Sequence, residues 1–159
     1  MKVQVKLFLA ILPLVFFLVF IGLYSVSIIS QLSTNSESIL KDNFHSVLAV
    51  QKMMEAIERI DSAALFRLTG KIRESEALFS RFKEVFEEQL RFEETNITEP
   101  GEREAVHSLR NDWVEYRNRF ERFSTLSVEE GKNTYHENLH PIFLRIKTST
   151  DHILTMNQE

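Results

Sequence analysis

The residues best able to do chemistry in this chain are two histidines and a glutamate in the segment YHENLHP, residues 135–141. His136, Glu137 and His140 have the spacing H-E-x-x-H, which on an α-helix places both imidazoles on one face as zinc ligands, beside a general-base glutamate. The pattern raises the hypothesis of a zinc-dependent hydrolase. So short a motif often occurs by chance, so the elements that carry it must decide.

A catalytic zinc site needs a third protein ligand, and the sequence supplies none at a suitable place. Phe143 and Ile146 occupy the glycine and third-histidine positions of the extended motif. Glu159 lies about 28 Å beyond His140 on the same predicted helix, at about 1.5 Å per residue. We interpret both histidines as residues at the rim of a helical seam, with Pro141 kinking the helix after them. Weak metal binding without catalysis stays open, but we expect no catalytic residue and no metal site.

Composition favours a few long helices. The 159 residues include 4 glycines, 3 prolines and no cysteine, so the chain has few turn formers and no disulfide. The formal net charge of −4 provides no basic surface of the kind that binds nucleic acid. We therefore expect an all-α fold held by packing, with no nucleic-acid partner.

The N-terminal segment is predicted to cross a membrane. Residues 7–29, LFLAILPLVFFLVFIGLYSVSII, carry no charge and are long enough to span a hydrocarbon core of roughly 30 Å. The segment is also longer than the apolar region of a cleaved signal peptide. Lys2 and Lys6 precede it, and the positive-inside rule places them in the cytoplasm. The predicted domains are a cytoplasmic stub at 1–6, a transmembrane helix at 7–29 and an extracytoplasmic domain at 30–159.

Four seams of apolar residues with helical spacing follow the apolar segment. Steps of three and four residues, or strict steps of seven, are typical of helices packed against other helices. The predicted seams are Leu40, Val47, Met54, Asp61 and Leu68, with Val50, Ile57 and Ala64 between them; Leu78, Phe82, Val85, Gln89 and Phe92, flanked by Phe79, Phe86 and Leu90; Val106, Leu109, Trp113, Tyr116, Phe120 and Phe123; and Tyr135, Leu139, Ile142, Ile146, Ser149, Ile153 and Met156.

Helix breakers separate these seams. Gly70 ends the first, residues 96–101 (NITEPG) lie between the second and third, and Ser127 to Glu130 form a capping box before the fourth. Short connections force neighbouring helices to be antiparallel. The sequence therefore predicts an N-terminal transmembrane helix followed by an antiparallel up-down-up-down four-helix bundle, whose first helix is continuous with the transmembrane helix.

Asp61 is the charged residue of the first seam, and a buried carboxylate is costly unless it is paired. Counting from the turns at the far end of the bundle places Arg81 and His136 at its level, so we expect Arg81 to be its partner and His136 a titrating neighbour. Two interpretations stay open: a static pair that fixes helix register, or a polar layer that switches or binds a ligand. The candidate signal or ligand residues are Asp61, Arg59, Arg67, Arg81 and His136.

The architecture itself suggests the function, because the sequence has no phosphate-binding loop, cysteine nucleophile or serine elbow. An even number of helices returns the chain to the membrane near residues 157–159. A bundle with both ends at the membrane is suited to passing a ligand-induced shift inward. This predicts the sensing region of a receptor.

Several segments resemble a known family. They are SVLAVQKMMEAIERIDSAALFRLTG at 46–70, NITEPGE at 96–102, PIFLRIK at 141–147 and ILTMNQ at 153–158. These segments resemble the extracytoplasmic sensor region of bacterial two-component sensor histidine kinases, within the group that includes the alginate-biosynthesis sensor kinase. The resemblance covers about residues 43–158.

The resemblance implies a bacterial inner-membrane protein whose residues 30–159 are periplasmic. The parent protein would continue with a second membrane helix, a HAMP relay, a phospho-accepting histidine helix and an ATP-binding kinase domain. ATP, Mg²⁺ and the phosphorelay to a response regulator would belong to those parts, so this chain is expected to be no enzyme and to hold no cofactor.

The expected partners are the membrane, a small extracytoplasmic ligand of unknown identity and a second copy of the chain. Receptors of this type act as dimers, and Phe44 and Leu65 give the first bundle helix a second apolar face. Two other functions stay open: the ligand-binding region of a methyl-accepting chemotaxis receptor, and a membrane-anchored adaptor.

Overall fold

The computed structural model describes the backbone of residues 3–158 and the side chains of residues 12–13, 15–29 and 41–158. This part of the chain is helical throughout, apart from short turns, so the predicted all-α class is confirmed. The elements are α1 at Val3–Leu68, α2 at Ile72–Thr95, α3 at Glu102–Phe123, α4 at Val128–Thr134, a π-helix at Tyr135–Leu139 and α5 at His140–Met156.

The chain divides into two compact units, Met1–Lys41 and Asp42–Glu159. Within the first unit, every described side chain is exposed, including the aromatic rings of Phe16, Phe17 and Phe20. Among the residues with described side chains, no helix is both long and apolar enough to cross a membrane. The predicted span at 7–29 includes positions 7–11 and 14, which lie outside those residues, so the span stays a prediction.

The helix ends fall where the sequence predicted them. Gly70, just after α1, has a φ of 80°, in the left-handed region that glycine adopts without strain. Gly101 has a φ of 86° immediately before α3. At the start of α4, the Ser127 hydroxyl accepts from the Glu130 N–H, and the Glu130 carboxylate accepts from the Ser127 N–H. The three predicted breaks are therefore confirmed.

Bonds between α2 and α3 show that these helices run antiparallel. Near the end of α2, Glu94 pairs with Arg110 at 2.6 Å. About two turns earlier in α2, the Glu87 carboxylate accepts from the Trp113 indole at 3.3 Å and from the Arg117 guanidinium at 3.1 Å. Both donors lie later in α3 than Arg110. Residue numbers thus rise along one helix as they fall along the other.

Helix α1 and the last helical segment also run antiparallel. Glu58 pairs with Lys147 at 2.6 Å, whereas Asp61, later in α1, contacts Tyr135, which precedes Lys147. Short turns and antiparallel neighbours therefore occur together, as the sequence predicted.

The core confirms the third predicted seam, because every one of its residues is buried. Aromatic rings dominate this line: Trp113 stacks on Phe86 of α2 with ring centroids 4.3 Å apart, and Phe120 stacks on Phe79 at 3.9 Å. Full burial of such a side chain contributes about 1.5–3 kcal/mol, and a well-placed aromatic pair about 0.5–1.5 kcal/mol more. This aromatic line is therefore a main source of bundle stability.

In the predicted seams of α1 and α2, the intervening residues Val50, Ile57 and Ala64 and the flanking residues Phe86 and Leu90 are buried as predicted, whereas the main lines are wrong in phase. In α1, Met54 and Leu68 lie on the line of strict seven-residue steps and are only half-buried. In α2, Gln89 is half-buried and Phe92 is exposed. A straight α-helix drifts by about 20° per seven residues, so a strict heptad line moves off the buried face. Met53 and Ile60 in α1 and Glu93 in α2 are among the buried positions that the predicted seams missed.

Candidate functional site

Asp61 meets Tyr135 across the packed helices. The Tyr135 hydroxyl lies 3.0 Å and 3.1 Å from the two carboxylate oxygens of Asp61, so its proton is shared in a bifurcated bond. The Nδ1 atom of His140 lies 3.4 Å from the same hydroxyl, and the two rings are 5.6 Å apart. Asp61, Tyr135 and His140 thus form a connected polar group inside the bundle.

The predicted pairing of Asp61 with Arg81 is wrong. Arg81 is exposed, and its guanidinium lies over the ring of the adjacent Phe82, 5.3 Å from the centroid. His136 is exposed as well and touches the Tyr135 ring edge-on, with centroids 5.1 Å apart. The predicted level along the bundle was correct to within one residue. The partner differs because Tyr135, not His136, faces inward.

The other two candidate arginines do not join Asp61. Arg59 is exposed and pairs with Glu55 one turn earlier on its own helix, at 3.9 Å. Arg67 is half-buried and donates to the Leu126 carbonyl at 3.5 Å, while its Nε has no hydrogen-bond partner among the described residues. A role for either arginine in anion binding stays a prediction.

Burial controls the titration of Asp61. Partial loss of solvent raises the pKa of its carboxyl, and this effect outweighs the Tyr135 hydrogen bond and the charges of His140 and Lys147, which lower it. Burial and the Asp61 charge raise the pKa of the Tyr135 hydroxyl. Tyr135 therefore keeps its proton and remains a donor to Asp61.

Tyr116 on α3 brings a second hydroxyl near the same carboxylate. Its side chain is fully buried, and its hydroxyl has no hydrogen-bond partner within the part of the chain that the structure describes. Burial, reinforced by the charge of Asp61, raises its pKa well above the ordinary value. An unbonded buried hydroxyl costs about 1–3 kcal/mol. We call Asp61, Tyr116, Tyr135 and His140 the polar layer.

A π-helix positions Tyr135 in this layer. Pro141 has no N–H, so it cannot bond the carbonyl of Glu137 one α-helical turn earlier. The backbone widens instead, and the His140 N–H bonds the Tyr135 carbonyl. Pro141 was predicted to kink the helix after the histidines, whereas the distortion precedes it. Single π-turns occur frequently at functional sites.

The π-helix also separates the histidines of the H-E-x-x-H pattern. That motif requires a regular α-helix to align positions four residues apart, but His136 is exposed while His140 is half-buried, with its ring 5.8 Å from that of Phe143. Among the residues that the structure describes, no three His, Cys, Asp or Glu side chains converge to hold a metal ion.

A polar cavity of about 380 Å³ opens beside the π-helix, lined by Arg119, Arg122, Thr134 and Asn138. Arg119 donates to the side-chain oxygen of Asn138 at 3.1 Å and to its backbone carbonyl at 3.4 Å. The cavity lining therefore includes a residue of the π-helix itself. None of the four lining residues was among the site residues predicted from the sequence.

A second polar cluster, missed from the sequence, joins α1, α2, α3 and the end of α5. Glu102 is fully buried and accepts from the backbone N–H groups of Thr98 at 2.7 Å and Glu99 at 3.1 Å. The side-chain amide of Asn157 donates to the other carboxylate oxygen of Glu102 at 2.6 Å. On the α1 side, the Asn96 amide donates to the Ser46 hydroxyl at 2.8 Å.

Glu93 is the unusual member of this second cluster. Its side chain is fully buried, and neither carboxylate oxygen has a partner in hydrogen-bond geometry among the described residues. Burial raises its pKa to about 8 and the Glu102 carboxylate adds to the effect, whereas the nearby Ser46 hydroxyl opposes it. Glu93 is therefore mainly protonated at neutral pH.

The sequence matches a family described as a four-helix-bundle sensory module for signal transduction, over residues 1–159. That family is named for methyl-accepting chemotaxis receptors, and its modules are typically extracytoplasmic. No curated protein and no solved structure matches the chain.

Proposed function

We propose that this chain, which belongs to the four-helix-bundle sensory modules for signal transduction, is the sensing portion of a membrane-bound two-component histidine kinase. It detects an extracytoplasmic signal and transmits it across the inner membrane. The observation that carries the proposal is the polar layer, where the Asp61 carboxylate is bonded to the Tyr135 hydroxyl and its charge also acts on the unbonded hydroxyl of Tyr116. The likeness of residues 46–70 and 96–102 to kinase sensors supports a kinase output.

The polar layer has the features of a two-state element. Asp61 is bonded to Tyr135, while the Tyr116 hydroxyl is near enough for the Asp61 charge to raise its pKa. Conversion of the π-helix to an α-helix would change the rotation of Tyr135 by the equivalent of one residue, about 100°. Loss of the Tyr135 bond would leave Asp61 free to accept from Tyr116. A signal that favours one arrangement shifts the population of the other.

A membrane anchor and a homodimer complete this proposal. Residues 7–29 carry no charge, and the side chains described within them are exposed, as lipid-facing residues would be. Helix α1 contains both this segment and Asp61. In the second unit, Phe44, Leu48 and Leu65 are exposed apolar residues of α1, which supports pairing of α1 with its counterpart in a second copy.

A second candidate function is the ligand-binding region of a methyl-accepting chemotaxis receptor, which the name of the family favours. Both functions use the same extracytoplasmic bundle. They differ in the output segment, which is a kinase in one and a methylated coiled coil in the other.

Phosphotransfer by the parent protein tests the kinase proposal. Membrane vesicles that contain the full-length parent are expected to incorporate the γ-phosphate of ATP on a histidine, as acid-labile and alkali-stable label. A parent with its phospho-accepting histidine replaced serves as the control. Methylation of glutamates by a methyltransferase, without phosphate incorporation, would instead establish the chemotaxis receptor.

The proposed topology predicts where a reporter at the end of the chain will be active. Alkaline phosphatase fused after Glu159 is expected to be active, because it forms its disulfides only in the periplasm. The same enzyme fused after Lys6 is expected to be inactive. Activity after Lys6 together with inactivity after Glu159 would show that the bundle lies in the cytoplasm.

A further inference from the structure

We propose that the cavity beside the π-helix binds a small organic oxyanion, a carboxylate or a phosphoryl group, through the guanidinium groups of Arg119 and Arg122. The binding site stands on its own geometry. Only its consequence for signalling rests on the proposed sensory function.

The cavity has the size and lining of a small-ligand site. Its volume of about 380 Å³ lies near the lower end of the range for sites that hold small molecules. Each lining side chain in the described part of the chain carries a polar group: two guanidinium groups from α3, the Thr134 hydroxyl and the Asn138 amide. A guanidinium presents its donors in a planar fork that matches the two oxygens of a carboxylate or phosphoryl group.

The positive charge at the cavity is only partly compensated. Arg122 has neither an ion pair nor a side-chain hydrogen bond within residues 41–158, where side chains are described. Arg119 pairs with Glu115, but Glu115 also binds Arg145 at 2.7 Å. Arg145 also binds Asp112 at 2.8 Å. The charges of Arg119 and Arg145 are therefore balanced by the carboxylates of Glu115 and Asp112, and the positive charge of Arg122 has no balancing carboxylate among the described side chains. An entering anion would restore the balance.

Binding at this cavity would act on the π-helix directly. Arg119 holds Asn138 through its side-chain oxygen and its backbone carbonyl. An anion that competes for these Arg119 donors would release Asn138, and Tyr135 lies in the same π-helix, bonded to Asp61. The cavity and the polar layer therefore each include a residue of the same π-helix, Asn138 and Tyr135. Occupation of the first is expected to shift the bonding of the second.

Calorimetric titration tests the site with the full chain in nonionic detergent micelles at low salt. Succinate and inorganic phosphate are the probes, and glycerol is the uncharged control. Saturable binding of at least one anion is expected, and comparison of the two distinguishes a carboxylate ligand from a phosphoryl ligand. Arg122→Gln should weaken binding about tenfold or more, because it removes a charged donor without removing an internal bond.

Two further variants complete the test. Arg119→Gln should also weaken binding, with circular dichroism used to confirm that the bundle remains folded. Arg103→Gln is the matched control, since Arg103 is an exposed arginine that lines a different cavity on α3. Saturable binding that Arg103→Gln weakens as much as Arg122→Gln would overturn the proposal, as would binding of neither anion. If the chain binds the anion but the parent protein lacks kinase activity, the binding site is supported and only the proposed kinase output is refuted.

Discussion

Glu93→Gln is expected to stabilise the folded bundle at pH 9 by on the order of 4 kcal/mol while changing it little at pH 5. The folded-state pKa of Glu93 is raised from 4.5 to about 8. The folded protein therefore holds this proton over an interval in which the unfolded chain has lost it. Stability contributed by the protonated group is complete below pH 4.5 and is lost as the pH rises through about 8. Glutamine keeps the neutral state at every pH.

The measurement can use a single internal probe. Trp113 is the one tryptophan of the sequence and is fully buried against Phe86, so its fluorescence reports unfolding of the core. Urea titrations of the full chain in detergent micelles at pH 5, 7 and 9 give the free energy of unfolding. Glu88→Gln, on an exposed position of α2, is the matched control. Wild-type and Glu93→Gln stabilities that fall in parallel between pH 5 and 9 would contradict the prediction.

The place of Glu93 gives this titration a structural consequence. The cluster around it includes Ser46 of α1, Glu102 of α3 and Asn157 at the end of α5. Ionisation of Glu93 would place a second negative charge beside Glu102 in a site without a compensating cation among the described residues. We therefore expect alkaline conditions to loosen this end of the bundle before the aromatic core around Trp113.

The sequence predicted the fold well because breakers and seams agreed. In α3 every core position is apolar or aromatic, so a periodic pattern identifies the buried face without ambiguity. Gly70 and Gly101 adopt a positive φ, and Ser127 caps a helix. These requirements depend only on neighbouring residues, so they can be predicted from the sequence. The antiparallel order then follows from the shortness of the turns.

Prediction failed where a polar residue occupies a core position. Glu93 continues the buried line of Phe86 and Leu90, but a carboxylate normally indicates a solvent-facing position. The predicted seam of α2 therefore passed through Gln89 and Phe92 instead. Sequence spacing alone would have placed Glu93 on the line of Phe86 and Leu90, had its charge been disregarded.

The partner of Asp61 was missed for a different reason. Counting residues along ideal α-helices gave the correct level, and Tyr135 already belonged to the predicted fourth seam, but the partner was sought among charged and titratable side chains, Arg81 and His136. The inward-facing hydroxyl of Tyr135 is the donor instead, and His136 is exposed. Tyr116 belonged to a predicted seam, yet nothing in its spacing indicated an unbonded hydroxyl. Such a group is visible only when the neighbours of its oxygen are known.

Asp61→Leu is expected to lock the receptor in one signalling state while the bundle stays folded. The substitution removes the acceptor of the Tyr135 hydroxyl and the charge near Tyr116, so the two arrangements of the polar layer no longer compete. A hydrogen bond to a charged group is worth about 1.5–3 kcal/mol, which corresponds to a change of about 10- to 150-fold in the ratio of the two states. Basal phosphorylation of the parent in membrane vesicles measures this shift.

Three comparisons separate a switch from a static pair. Tyr135→Phe keeps the ring but removes the hydroxyl, so under the switch it should shift basal phosphorylation in the same direction as Asp61→Leu, and the double variant should add little. Ser62→Ala is the control, because the one bond of the Ser62 hydroxyl within the described side chains goes to the Glu58 carbonyl of its own helix. A static pair predicts altered stability with wild-type phosphorylation in both single variants. A folded Asp61→Leu receptor with wild-type basal output and response would exclude the polar layer as the switch, because the Asp61–Tyr135 bond would then serve only helix register.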